Sequence, residues 1–212
     1  MKVFIDNDIA VKLAQWGILK RFSQHLTKQG GAELYMVSTL KYRFKLAEPA
    51  KAAVLLGSAA AVVQLTDFVA MCKPAKGYDA AVAAALTNMP SVDAGEATLF
   101  AAAAHFDAAL IDTGDKNALR ALGTLGEAHV VTRSLAGKIA CLEQTMHYLI
   151  GRWTFDGVSK AVLSAPGADI AAFRCFDGVL EQAALDALHS KVEELRMHCA
   201  GTLSLVPFAW IK

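Results

Sequence analysis

Three short stretches of the chain place carboxylates where an α/β protein can use them. They are Phe4-Ile5-Asp6-Asn7-Asp8, Val92-Asp93-Ala94-Gly95-Glu96 and Ile111-Asp112-Thr113-Gly114-Asp115-Lys116. Each runs from apolar residues into acids and then into a helical pattern. Ligands of open parallel sheets bind beyond the carboxyl ends of the strands, so acids delivered there by neighbouring strands converge. Converging carboxylates repel one another. A hard divalent cation, Mg²⁺ or Mn²⁺, relieves that repulsion through oxygen ligands, and such ions activate water and neutralise charge on a phosphodiester in transit. The candidate metal ligands are Asp6, Asp8, Asp93, Glu96 and Asp115, with Asp6, Glu96 and Asp115 as the catalytic set. Each has a structural alternative. Asp93-x-x-Glu96 is also a capping box, Asp115 suits a first helical turn, and Asp8 or Asn7 suits a helix N-cap. Asp6, closing a buried strand, has the weakest such alternative.

The elements that must hold these acids follow from periodicity. Residues 2–5 read as a strand, and Ile9, Leu13, Trp16 and Leu19 recur at helical spacing to about residue 25. Residues 34–37 read as a second strand. The alanine-rich span 40–86 reads as mostly helical, broken near Pro49, Gly57, Pro74 and Gly77, with 62–65 as an alternative strand. A helix from 93 to 105 follows, then a buried strand over 107–112 and a helix from 116. Residues 129–131 read as a further strand and 133–150 as one long helix. Beyond 151 the pattern is helical over 155–163, 169–176 and 180–199. The last of these is amphipathic through Leu185, Leu188, Val192 and Leu195. Alternating strands and helices predict an α/β fold. Its parallel sheet of about four to five strands, flanked by helices, lies within 1–150, with a helical extension over 151–212 packed on that core.

Composition narrows the class. The chain has 212 residues, 55% apolar and 19% charged, with net charge +1. It can therefore bury a substantial core, and global charge does not dictate a polyanionic partner. Four scattered cysteines without a C-x-x-C pair give no zinc or disulfide framework. Nothing reads as a signal peptide, and the apolar window 52–65 is too short to span a bilayer. A cytoplasmic protein with no membrane partner is expected. Phosphate-binding glycine loops and the G-x-S-x-G elbow are missing from the sequence.

The order and spacing of Asp6, Gly95-Glu96-Ala97 and Thr113-Gly114-Asp115-Lys116-Asn117 resemble the PIN-domain family of metal-dependent nucleases over roughly residues 1–132. The resemblance implies a PIN-like sheet and a Mg²⁺- or Mn²⁺-dependent ribonuclease acting on single-stranded RNA. It also implies, since many relatives are toxins of toxin–antitoxin pairs, a small antitoxin protein as partner. The chain departs from the family after strand two. Thr39-Leu40-Lys41-Tyr42-Arg43-Phe44-Lys45 offers bases where an acid is usual, and the nearest acid is Glu48. Thr113, Lys116 and Arg133 are the candidate substrate contacts near the acidic edge. The aromatic group Tyr148, Trp153, Phe155 and Phe173 reads as core or as a homodimer contact. Two alternatives stand beside this reading. One is a haloacid-dehalogenase-type phosphohydrolase using Asp6-Asn7-Asp8, although Leu119 occupies its usual second late acid. The other is a PIN-like RNA- or protein-binding module without full catalysis.

Overall fold

The computed structural model describes residues 1–76 and 78–211. Gly77, an expected helix break, and Lys212, the end of the expected extension, lie outside the described residues. Five strands form one all-parallel sheet: β1 (Lys2–Ile5), β2 (Glu33–Met36), β3 (Lys73–Pro74), β4 (Ala109–Thr113) and β5 (Ile139–Cys141). Their spatial order is β3-β2-β1-β4-β5. The chain thus starts in the centre, winds outward through β2 and β3, and then crosses to the other side of β1. That reversal creates a switch point between β1 and β4, the place where open α/β sheets leave a crevice at their carboxyl ends. The two strands end level, with Phe4 opposite Ile111 and Ile5 opposite Asp112. The Asp6 amide extends the ladder by donating to the Asp112 carbonyl at 3.0 Å.

Strand alternation decides which way each side chain points. Val3, Ile5 and Leu110 enter one core cluster, and Phe4, Ile111 and Ile139 enter the other. The first face is covered by α1 (Asn7–Gln15), α2 (Leu19–Lys28), α4 (Pro49–Leu56), α5 (Ala59–Met71), α10 (Leu142–Arg152), α11 (Phe155–Ser164) and α12 (Ile170–Phe176). The second is covered by α6 (Ala80–Leu86), α7 (Ala94–Ala104), α8 (Lys116–Thr124) and α9 (Val130–Ser134). A short α3 (Leu40–Arg43) follows β2. The long α13 (Glu181–Arg196) serves both faces, giving Ala184 and Leu188 to the first cluster and Val192 and Leu195 to the second.

The C-terminal region is therefore built into the same core as β1. Gly123 of α8 shows how closely it packs, because a methyl group there would collide with the His198 backbone carbonyl. The region is helical up to α13 and then changes character. Leu203 pairs in parallel with Ile139, laying an extended segment along β5.

The helical reading of the alanine-rich span holds at 62–65, which lie inside α5 and not in a strand. Three expectations need correction. The single helix read to about residue 25 is two, α1 and α2, separated by a turn at Gly17 (φ 74°). Residues 129–131 start α9, whose N-cap His129 ring accepts from the Val131 amide at 3.3 Å. Val130, Val131 and Thr132 carry strand-prone side chains, but the Thr132 hydroxyl bonds back to the His129 carbonyl at 2.9 Å, which suits a helical turn. The long helix over 133–150 does not exist as one piece. Gly137 (φ 64°) turns the chain and β5 intervenes before α10. A three-residue strand is too short for periodicity to reveal, yet β4 is buried along its whole length and needs a neighbour on that side. β3 also escaped the pattern. It has two residues, with proline at the sheet edge, where its missing N–H costs nothing. Among the described residues no single helix is long and apolar enough to cross a membrane; α4 and α5 jointly have the length and composition but are bent by 107°.

Candidate functional site

Asp6 stands at the switch point. It leaves β1 on the same side as Phe4, and only 6% of it is exposed. One of its carboxylate oxygens accepts from the Asn7 amide at 2.7 Å, which makes Asp6 the N-cap of α1. The cap thus falls one position before Asn7 and two before Asp8, the expected candidates. The other oxygen accepts from the Thr113 hydroxyl at 3.1 Å, across the β1–β4 boundary. That hydroxyl also accepts from the Asp115 amide at 3.2 Å. Thr113 is 1% exposed, so it ties Asp6 to the Asp115 turn and does not reach a substrate directly as expected.

Glu96 and Asp93 enter from α7, which packs on β1 and β4. They form a full capping box. The Glu96 amide donates to Asp93 at 2.8 Å, and the Asp93 amide donates to the Glu96 carboxylate at 2.8 Å. Asp115 caps α8, accepting from the Asn117 and Ala118 amides at 2.8 and 3.0 Å. These caps anchor the acids without neutralising them.

The electrostatic consequence is clear. Burial pushes the Asp6 carboxyl up to about 6, with Asp8 and Asp93 adding repulsion and the Thr113 and Asn7 hydrogen bonds opposing. Burial pushes Glu96 up to about 8, with repulsion from Asp115, Asp6 and Asp93. These mutual repulsions place Asp6, Asp93, Glu96 and Asp115 at one edge. No ion pair to a lysine or arginine relieves any of the four among the described residues.

The donor set suits a hard divalent cation in charge and in atom type. In the side-chain arrangement of the structure, however, no group of three or more His, Cys, Asp or Glu residues among those described converges to hold a metal ion. Oxygens committed to the capping box account for part of this, since Asp93 and Glu96 each hold the other's backbone amide.

Asp8 stands near enough to repel Asp6 but is itself paired. It bonds Lys12 at 2.6 Å, and Lys12 also pairs with Asp169 at 2.8 Å. This arrangement presses against the turn after β4, where a methyl group on Gly114 would overlap the Asp8 carboxylate. Lys116 is likewise committed, its ammonium donating to Glu143 in the first turn of α10. Arg133, expected beside the acids, lies at the opposite end of the sheet. It is exposed in the last turn of α9, and five residues later Lys138 reaches the Phe106 carbonyl that precedes β4.

Four residues of this edge were not singled out in the sequence. Asp112 is fully buried on the first face, accepts from the Thr145 hydroxyl at 2.8 Å, and is pushed by burial up to about 8. Among the described residues its second oxygen has no hydrogen-bond partner, nor has the second oxygen of Glu143, which is 1% exposed. The remaining two are Lys12 and Asp169. Glu143 had a signal: Ile139-Ala140-Cys141-Leu142-Glu143 repeats the design of apolar run, acid and helix. Lys12 and Asp169 are 157 positions apart, and nothing local connects them.

Comparison with known proteins returned no matching family model, no matching curated protein and no matching solved structure.

Proposed function

We propose that the chain is a Mg²⁺- or Mn²⁺-dependent nuclease that hydrolyses phosphodiester bonds in single-stranded RNA. The observation that carries this reading is the group of unneutralised carboxylates, Asp6, Asp93, Glu96 and Asp115, at the β1–β4 switch point. Asp6, Glu96 and Asp115 would hold the cation, with Asp93 beside them. When bound, the cation supplies charge neutralisation at the phosphodiester and lowers the pKa of a water. The chain's own residues prepare the place. Thr113 and the Asn7 amide fix the Asp6 carboxylate, the α8 cap fixes Asp115, and the capping box fixes Glu96. The family resemblance supports RNA as the substrate and adds an antitoxin-like protein as partner.

The test is cleavage of a labelled single-stranded RNA with Mn²⁺, against EDTA and against Asp115→Asn and Glu96→Gln. Cleavage that persists under those changes would overturn the reading. Hydrolysis of an aryl phosphate without RNA cleavage would instead favour a phosphohydrolase. Absence of both activities together with absence of Mn²⁺ binding by calorimetry would leave a binding module.

A further inference from the structure

A second cleft lies away from the acidic edge and shares no residue with it. It has a volume of about 740 Å³, within the range of small-molecule sites. Two helical stripes form its walls. On α10 they are Gln144, His147, Tyr148 and Arg152, and on α13 they are His189, Val192, Glu193 and Arg196. Both sets follow the i, i+3, i+4 spacing of one helix face. The third wall is the extended C-terminal segment, including Val206 and Phe208.

The topology aligns the two helices. α10 leaves the carboxyl end of β5. The chain after α13 returns to the start of β5, where the Gly137 and Ile139 amides donate to the carbonyls of Gly201 and Thr202 at 3.0 and 3.1 Å. Arg152 and Arg196 therefore end their helices at the same end of the cleft. Among the described residues that line the cleft, Glu193 is the only carboxylate side chain, and it already accepts from Arg196 at 3.1 Å. Arg152 donates one N–H to the Ile211 carbonyl at 2.6 Å, and a guanidinium has five to give. An adjoining recess reached through Arg152 carries Arg21 and Lys28 and no carboxylate. The helix C-termini contribute roughly half a negative charge each, which together with Glu193 offsets Arg152 and Arg196; Arg21 and Lys28 of the adjoining recess make the Arg152 side net positive. The apolar stretch between the polar ends includes Val206, which is 68% exposed, and Phe208, whose ring packs on Tyr148 at 4.6 Å.

We propose that this cleft binds a small amphipathic anion, with a carboxylate or phosphate at the Arg152–Arg196 end and an apolar or aromatic body along Val192, Val206 and Phe208. His147, His189 and Gln144 offer hydrogen bonds to polar groups at its far end. The inference is independent of the nuclease reading.

The experiment is titration calorimetry on the full chain with two anionic probes, decanoate and a purine nucleoside monophosphate. Each is compared with its neutral counterpart, decanol or the nucleoside. At least one anion is expected to bind tenfold or more tightly than its neutral counterpart, and which one does so identifies the class of body. Arg196→Gln and Val206→Asp are each expected to weaken that binding at least tenfold, and Asp115→Asn to leave it unchanged. Val206 is exposed, so its variant keeps the fold, and a matching thermal melt verifies this. The proposal is overturned if neither anion binds, if anion and neutral body bind alike, or if both cleft variants bind as the parent chain does.

Discussion

The carboxyl edge of the sheet holds acids on both of its faces, and the two faces treat them differently. On the face of α7 and α8, Asp6, Asp93, Glu96 and Asp115 accept hydrogen bonds, among the described residues, only from backbone amides and one hydroxyl, and their neighbouring charges are carboxylates. On the face of α1 and α10, Asp8 and Asp169 share Lys12, and Glu143 holds Lys116. The carboxyl groups respond accordingly. Asp6 and Glu96 are driven up by burial and mutual repulsion. Burial would raise Asp169 too, but the Lys12 ammonium and the Ala172 amide hold it below its ordinary value. On that face lysines meet three of the four acids, Lys116 reaching across from α8, and Asp112 alone is left with the Thr145 hydroxyl. The other face is left wanting a cation, and that difference separates a structural acid cluster from a candidate site.

The largest expected effect lies on the unneutralised face. Asp115→Asn or Glu96→Gln should lower Mn²⁺-supported RNA cleavage by about a thousandfold or more, equivalent to ~4 kcal/mol of barrier. Single-turnover kinetics measure it, and unchanged rates would remove the functional meaning of the contrast.

Next comes the ion pair between Lys116 and Glu143, whose side chains are 27% and 2% exposed. Lys116→Met strands a buried charge and should cost about 3 kcal/mol in urea unfolding. Adding Glu143→Leu should restore most of that loss. If the double variant is no more stable than the single one, Lys116 does not act as the buried counter-ion.

A third test sets the faces against each other by pH. Asp6 and Glu96 have folded pKa values raised above their unfolded ones. Their contribution to stability is full below about pH 4 and is lost as pH rises through about 6 and about 8 respectively. Asp169 is depressed, so its contribution is present above its unfolded pKa and is lost on acidification. Asp112 on the opposite face is raised to about 8 as well, so stability should fall from about pH 4 to about 8; Asp6→Asn should flatten the part below about pH 6, and Glu96→Gln the part above it. At pH 8, Mn²⁺ at thirtyfold its Kd should restore about 2 kcal/mol. A melting temperature that ignores Mn²⁺ at pH 8 argues against a cation site.

The smallest effect is expected from Asp8→Asn. Its carboxylate is 41% exposed and Lys12 keeps Asp169 as a partner, so the loss should stay under about 1 kcal/mol with cleavage unaltered. Loss of activity would move Asp8 into the site and erase the distinction between the faces.

Much of this arrangement was legible in the residues. β1, β2 and β4 announced themselves by apolar runs ending in polar residues. The acids of the site lie immediately after such runs or at a helix start, where local pattern is strong. The capping box at Asp93 and Glu96 was equally readable, because both partners sit within four positions. What escaped was short or distant. β3 and β5 have two and three residues and carry too little periodicity to be recognised. Arg133 was placed at the wrong end of the sheet because α9 was read as a strand and the chain direction inverted with it.

The residue order was sufficient to define a parallel α/β architecture with carboxylates at strand ends, because strand and helix periods and caps are local properties. Whether those carboxylates are neutralised was a tertiary matter. It depended on which side of the sheet each residue faces and on Lys12 meeting Asp169 from far along the chain. Asp8 meets Lys12 within α1 as an i,i+4 pair, which is local; only the assembled fold brought Asp169 to the same lysine and left Asp6 and Glu96 without one. The second cleft has the same origin. α10, α13 and the C-terminal segment each carry an ordinary stripe of residues, and packing alone brought Arg152 and Arg196 to one end.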